Sequence, residues 1–223
     1  MARFLLDTDY NSIIQSSDLI QITEGTNQNL LDSEIKAISR MRSKLIQRYM
    51  VDIELGGMVA YSAATNYRIR DRVISGSTIY YVKDFAQWSS TVAYATSDIV
   101  SDVNGYVYTA AQSSTNQPLT STSYWTKMVG IINTNTTYWN VGDNRYPLFV
   151  EIAMDLTLYN LYSRINPRNI PDLRVLRNKE ALDQLERWGS GTDTAEILDI
   201  KDAIQEGFSI RYDSSIPKTN NFF

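Results

Sequence analysis

Two stretches, Tyr67-Arg68-Ile69-Arg70-Asp71-Arg72-Val73 and Tyr94-Ala95-Thr96-Ser97-Asp98-Ile99-Val100, share the frame Tyr-x-x-x-Asp-x-Val. Each is followed by a glycine and then a tyrosine, Gly76 and Tyr80 after the first and Gly105 and Tyr108 after the second. Runs rich in β-branched and aromatic residues, Ser77-Thr78-Ile79-Tyr80-Tyr81-Val82 and Tyr106-Val107-Tyr108-Thr109, read as short strands. Ser75-Gly76 and Asn104-Gly105 supply the turn residues of hairpins, and Asn-Gly is the stronger signal because both its residues tolerate positive φ. From Gly56-Gly57 to about Gly142 no helical period survives. The frame therefore predicts a β module of small antiparallel strands over residues 56–143.

Outward from that module the helical period appears on both sides. Residues 1–55 form the first part of a helical domain. Asp9 is a plausible cap for a helix through Ile13, Ile14, Leu19 and Ile20, and the polar run 25–29 then makes a loop. Asp32 or Ser33 can cap a second helix of about 17 residues, roughly 26 Å long at 1.5 Å per residue, with Ile35, Ile38, Met41, Leu45 and Tyr49 along one stripe. Lys36, Arg40, Arg42, Lys44 and Arg48 fall mostly on other faces, and so basic a helix in an acidic chain calls for an acidic neighbour, in this chain or in a partner. Residues 144–205 form the second part. Pro147 suits a first turn, and the segment after it is apolar around much of its circumference, so it is buried on several sides. Pro171 opens a further helix carrying Leu173, Leu176, Leu182, Leu185 and Trp188, which Gly189-Ser190-Gly191 stops. Residues 206–223 read as an extended C-terminal tail whose terminal aromatics point to docking on a neighbour. The fold class is α+β: a bundle of about four helices interrupted by a β insert.

The 223 residues carry no Cys and no His, which excludes a Cys/His zinc site, a Ser-His-Asp triad, a Cys nucleophile, a histidine switch and disulfides. No metal and no cofactor is expected. The absence of an 18-residue apolar run argues against a membrane span. A net charge of −4 is unsuited to a basic nucleic-acid reader but permits passing contact with DNA. The short apolar start, followed at once by Asp7 and Asp9, predicts a protein made in the cytoplasm without a signal peptide. Enzyme chemistry is left only to carboxylates such as Asp98 and Asp102. Asp98 recurs as Asp71 beside a turn, so no catalytic role is expected.

The fuller copy runs Trp88, Tyr94, Asp98, Val100, Asn104-Gly105, Tyr108, Asn116-Gln117-Pro118 and Trp125. From Trp88 to Lys127 it resembles the small aromatic-rich β modules of the chitin-binding type, except that Ser97 stands where that family usually has glycine before its Asp. The resemblance admits two roles for Trp88, Tyr94, Tyr108 and Trp125: module core, which the usual burial of large aromatics favours, or sugar stacking, as in a carbohydrate-binding module of a phage tail or receptor-binding protein.

The flanking helices carry a second resemblance. Their order is Ser12-Ile13-Ile14, Asp18-Leu19-Ile20-Gln21-Ile22-Thr23, Leu31-Asp32-Ser33-Glu34-Ile35-Lys36-Ala37-Ile38, Leu45-Ile46-Gln47-Arg48-Tyr49, Tyr146-Pro147-Leu148, Asp155-Leu156-Thr157-Leu158-Tyr159-Asn160-Leu161-Tyr162, Ile170-Pro171 and Ala181-Leu182-Asp183-Gln184-Leu185. This resembles the helical head–tail connector proteins of tailed bacteriophages, the Mu-type group among them. The resemblance implies a structural virion protein at the head–tail junction, a dodecameric homo-oligomeric ring below the portal protein, touching other neck or tail rings and passing double-stranded DNA. It makes Arg40, Lys44, Arg48, Phe208, Tyr212, Phe222 and Phe223 candidate partner-interface residues.

Overall fold

The computed structural model describes residues 2–129, 134–165 and 167–197. A turn of 3-10 helix at Asp9–Ser12 leads into α1 (Ser16–Ile22), α2 (Asn27–Leu45) and the single turn α3 (Val51–Glu54). Among the described residues nine short strands follow: β1 (Val59–Ala60), β2 (Arg72–Ser75), β3 (Thr78–Val82), β4 (Ala93–Tyr94), β5 (Ile99–Ser101), β6 (Val107–Ala110), β7 (Ser114–Thr115), β8 (Trp125–Lys127) and β9 (Trp139–Val141). The helices α4 (Pro147–Ile165) and α5 (Asp172–Ser190) complete an α+β architecture.

The helices before and after the strands form one body. Its core joins Leu30, Ala37, Met41 and Leu45 of α2 to Phe149, Leu156, Leu158 and Leu161 of α4 and to Ala181, Leu185 and Trp188 of α5. α4 buries side chains all round, as its apolar composition requires, and its buried Thr157 hydroxyl is satisfied by donating to Ala153 O at 2.7 Å. α5 ends where Gly191 takes φ +79°, the left-handed cap.

Three expectations change. The long first helix is split between the 3-10 turn and α1, because the Asp9 carboxylate accepts from Leu6 N at 2.7 Å and from Arg145 rather than capping a helix that runs on. α2 begins at Asn27, which places Asp32 and Ser33 inside it; Ser33 is buried with its hydroxyl donating to Asn29 O at 2.9 Å. Leu173 and Leu176 are 57% and 53% exposed, since α5 meets the core through Asn178, Ala181, Leu185 and Trp188.

The β region is two nested copies of one unit. β1, β2, β3 and β9 form one sheet in that order, while β5, β6 and β8 form another, with β4 and β7 paired beside it. β1 runs parallel to β2 and the remaining pairs are antiparallel, so the insert is mixed rather than purely antiparallel. The outer copy breaks off after β3, the whole inner copy intervenes, and β9 then closes the outer sheet. Tyr138-Trp139 at the start of β9 thereby occupies the place that Tyr124-Trp125 has at the start of β8 in the inner copy: Lys83 N donates to Tyr138 O at 2.9 Å and Ala111 N to Tyr124 O at 2.8 Å. The inner copy is not a pendant, because its Val107 and Met128 fill the outer core with Tyr67, Ile69, Val73, Val82, Trp139 and Ile53 of α3.

Candidate interaction surfaces

The shared frame has a physical content that is the same twice. Tyr67 Oη accepts from Ser62 N and donates to Ser62 O; Tyr94 Oη does the same with Ser89. Asp71 Oδ2 accepts from Arg68 N and Asp98 Oδ2 from Ala95 N, both at 2.7 Å. Each carboxylate thus closes the turn that delivers its strand. Tyr67 meets the edge of Trp139 at 5.1 Å and Tyr94 that of Trp125 at 5.2 Å. The residue before each Asp has positive φ, +61° at Arg70 and +75° at Ser97. That left-handed backbone favours glycine, and this chain carries side chains in both places at a cost. Asp102 also holds a turn, accepting from the backbone N–H groups of Asn104 and Tyr106 at 2.8 Å each.

Of the four aromatics singled out in the inner copy, Trp125 is core, 2% exposed, with its indole N–H donating to Gln117 O at 2.9 Å. Tyr94, Trp88 and Tyr108 are half-buried around Val100, Ala110 and Trp125. Tyr108 shares Lys127 with Tyr106, whose ring lies 3.7 Å from the ammonium. Burial, with Asp102 adding to it, pushes the Tyr108 hydroxyl pKa upward.

No protein-family model, curated protein or solved structure matches this chain.

Lys44 of α2 and Arg48 just after it are used inside the molecule. Lys44 pairs with Glu186 of α5. The Arg48 guanidinium donates to Asp193 O at 3.3 Å and to Trp188 O and Thr194 Oγ1 at 3.5 Å, gathering the carbonyl end of α5 and the chain beyond it. A methyl group at Gly189 would sit 2.4 Å from Lys44 O, so the two helix ends touch backbone to backbone. Arg40 is exposed on α2. Phe208, Tyr212, Phe222 and Phe223 lie outside the described residues. Among the described residues no helix is long and apolar enough to cross a membrane.

The junction between the helical and β bodies holds charged side chains that reading by period and motif passes over. Arg68, Arg70 and Arg72 alternate along the outer copy and face α3: Arg68 Nη2 donates to Asp52 O at 3.3 Å, Arg70 Nη1 pairs with the buried Glu54 at 2.7 Å, and Arg72 Nη1 donates to Glu54 O and Gly56 O. Burial lowers the Arg72 pKa. Gly105 is wedged here at φ +84°, where a Cβ would lie 3.0 Å from Ile53 Cδ1 and 3.1 Å from Ile69 Cγ1. At the far crossing Arg145 reaches both Asp143 and Asp9 at 2.6 Å. Burial disfavours charge on Asp143, yet the hydrogen bonds from Arg145 outweigh it and hold this carboxyl below its ordinary value. A run of alternating arginines before an alternating strand was the available signal; the partners lie far away in sequence and left none.

Proposed function

We propose that this protein is a structural component of a tailed-phage virion, a head–tail connector that forms a ring, dodecameric as in the family it resembles, below the portal and joins capsid to tail around the DNA channel. The observation that carries the reading is where the connector-like segments go. Residues 31–49 are separated by the β region in sequence from 146–162 and 170–191, yet all three assemble into one helical body with a common core. The order of motifs that carries the resemblance thus corresponds to a single packed unit. The net charge of −4 per chain supports a channel past which DNA phosphates slide without adhering. The last described residues, 193–197, lie beside the ends of α2 and α5, where Arg48 holds Asp193 and Thr194 and Tyr49 Oη accepts from Ala195 N at 3.2 Å. That position supports a tail directed to the portal or to a neighbouring copy. On this reading the β body belongs on the outside of the ring or against neighbouring ring proteins.

The test is assembly with portal rings, followed by light scattering and negative-stain imaging. A portal carrying an added ring is expected. A chain that stays monomeric with the portal present overturns the reading.

A further inference from the structure

We infer that residues 2–10 form a latch that sets the orientation of the β body on the helical body, and that opening it leaves both bodies folded but turns their junction into a hinge. The chain passes between the bodies twice, at 55–58 and at 142–146, and the latch grips both passages. At the first, Arg3 O accepts from Met58 N at 2.9 Å, and the backbone of Ala2 lies so close that a Cβ on Gly57 would be 2.6 Å from the Ala2 carbonyl carbon. At the second, Arg145 Nη1 donates to Phe4 O at 2.8 Å and both Asp9 oxygens take the guanidinium, at 2.6 and 3.0 Å.

The latch also carries the countercharge for a buried group on each side. Arg3 meets Glu34 of α2 through Nε at 3.0 Å and Nη2 at 2.8 Å, and Tyr10 Oη donates to Glu34 at 2.9 Å. Glu34 is 5% exposed at its side chain and Arg145 3%. Glu34 belongs to the helical body, Arg145 to the passage back from the β body. Lifting the segment strips partners from two buried ions of opposite sign at once, so it is held or released as a unit. Phe4, Leu5 and Tyr10 anchor it in the helical core. Without the latch the β body keeps its attachment to α3, through Ile53 and the arginines 68, 70 and 72, and Arg72 also donates to Gly56 O at 3.2 Å and to Asn144 Oδ1 at 2.7 Å on the two passages. These contacts gather at α3 and the passages beside it, and they are the pivot of the hinge. The inference is independent of the assembly the chain enters.

Two variants of the full chain test it by different routes: Arg3→Gln with Asp9→Asn removes the latch charges, and Gly57→Val displaces its backbone. The chain has no Cys, so the exposed pair Ser43→Cys on α2 and Thr126→Cys on β8 takes spin labels at two sites alone. In both variants hydrogen exchange should rise roughly a hundredfold at 2–10, 56–58 and 142–146, with α4 and β2–β3 as protected as before, and the label distance distribution should broaden. An unchanged distribution, a latch that stays protected in both variants, or exchange rising equally in α4 and β2–β3 overturns the inference.

Discussion

The outer and inner β copies differ less in backbone than in what three alternating positions present. Where the outer copy has Arg68, Arg70 and Arg72, the inner has Ala95, Ser97 and Ile99. The turns, the tyrosine clasp and the tyrosine–tryptophan contact are the same in both. The frame therefore makes the unit, and the intervening residues decide what it docks on. Arginines bind the outer copy to the carbonyls and carboxylate of α3, while Ile99 turns the inner copy's sheet toward the outer core.

The two copies part most visibly at the tryptophans. Trp139→Ala should cost about 4 kcal/mol or more, and Trp125→Ala about 3, in chemical denaturation. The larger loss belongs to Trp139 because its cavity opens a core shared by both copies and α3, whereas Trp125 packs in the small cluster with Val100 and Ala110. Equal losses would mean that the copies are energetically separate.

Next come the two positive-φ residues, where one substitution should act with opposite signs. Ser97→Gly relieves left-handed strain and should stabilise by about 0.5–1 kcal/mol. Arg70→Gly relieves the same strain but removes the 2.7 Å ion pair to Glu54, whose side chain is 2% exposed, and should destabilise by about 2 kcal/mol. Thermal melts of both variants give the signs directly.

The tyrosine clasps should behave alike. Tyr67→Phe and Tyr94→Phe each remove one accepted and one donated hydrogen bond, and each should cost about 1–2 kcal/mol in denaturation.

The smallest effect is a pH slope. Burial raises the Asp71 pKa above its ordinary 3.8, against the opposing pull of Arg68. The folded state then holds this proton more tightly than the unfolded chain, so stability from this group is greatest at low pH and falls as pH rises through the interval above 3.8. Asp71→Asn should flatten that part of the denaturation midpoint against pH.

Much of the layout is legible in the linear chain. Pro147 at the start of α4, the stop at Gly191, the hairpin glycines Gly76 and Gly105 and the repeated frame all act through neighbours a few residues away, and chemistry of that kind shows in the order of residues. The nesting is not legible, although Tyr138-Trp139 repeats Tyr124-Trp125, because the closing strand of the outer copy comes only after the whole inner one. Among the candidate interface residues, Lys44 and Arg48 carry the charge that marks them in sequence, but their partners Glu186 and Asp193 lie at and just beyond a helix end far along the chain.

Turn residues, apolar periods and composition act locally or by count, and they suffice to establish that helices flank a twofold β signature and that cysteine and histidine chemistry is absent. Packing in three dimensions settles the rest: which arginine meets which carboxylate, which of Leu173 and Leu185 is buried, and that residues 2–10 bind Glu34 and Arg145 together. Those outcomes depend on desolvation and close approach between segments that meet only when the chain is folded, and no local pattern carries them.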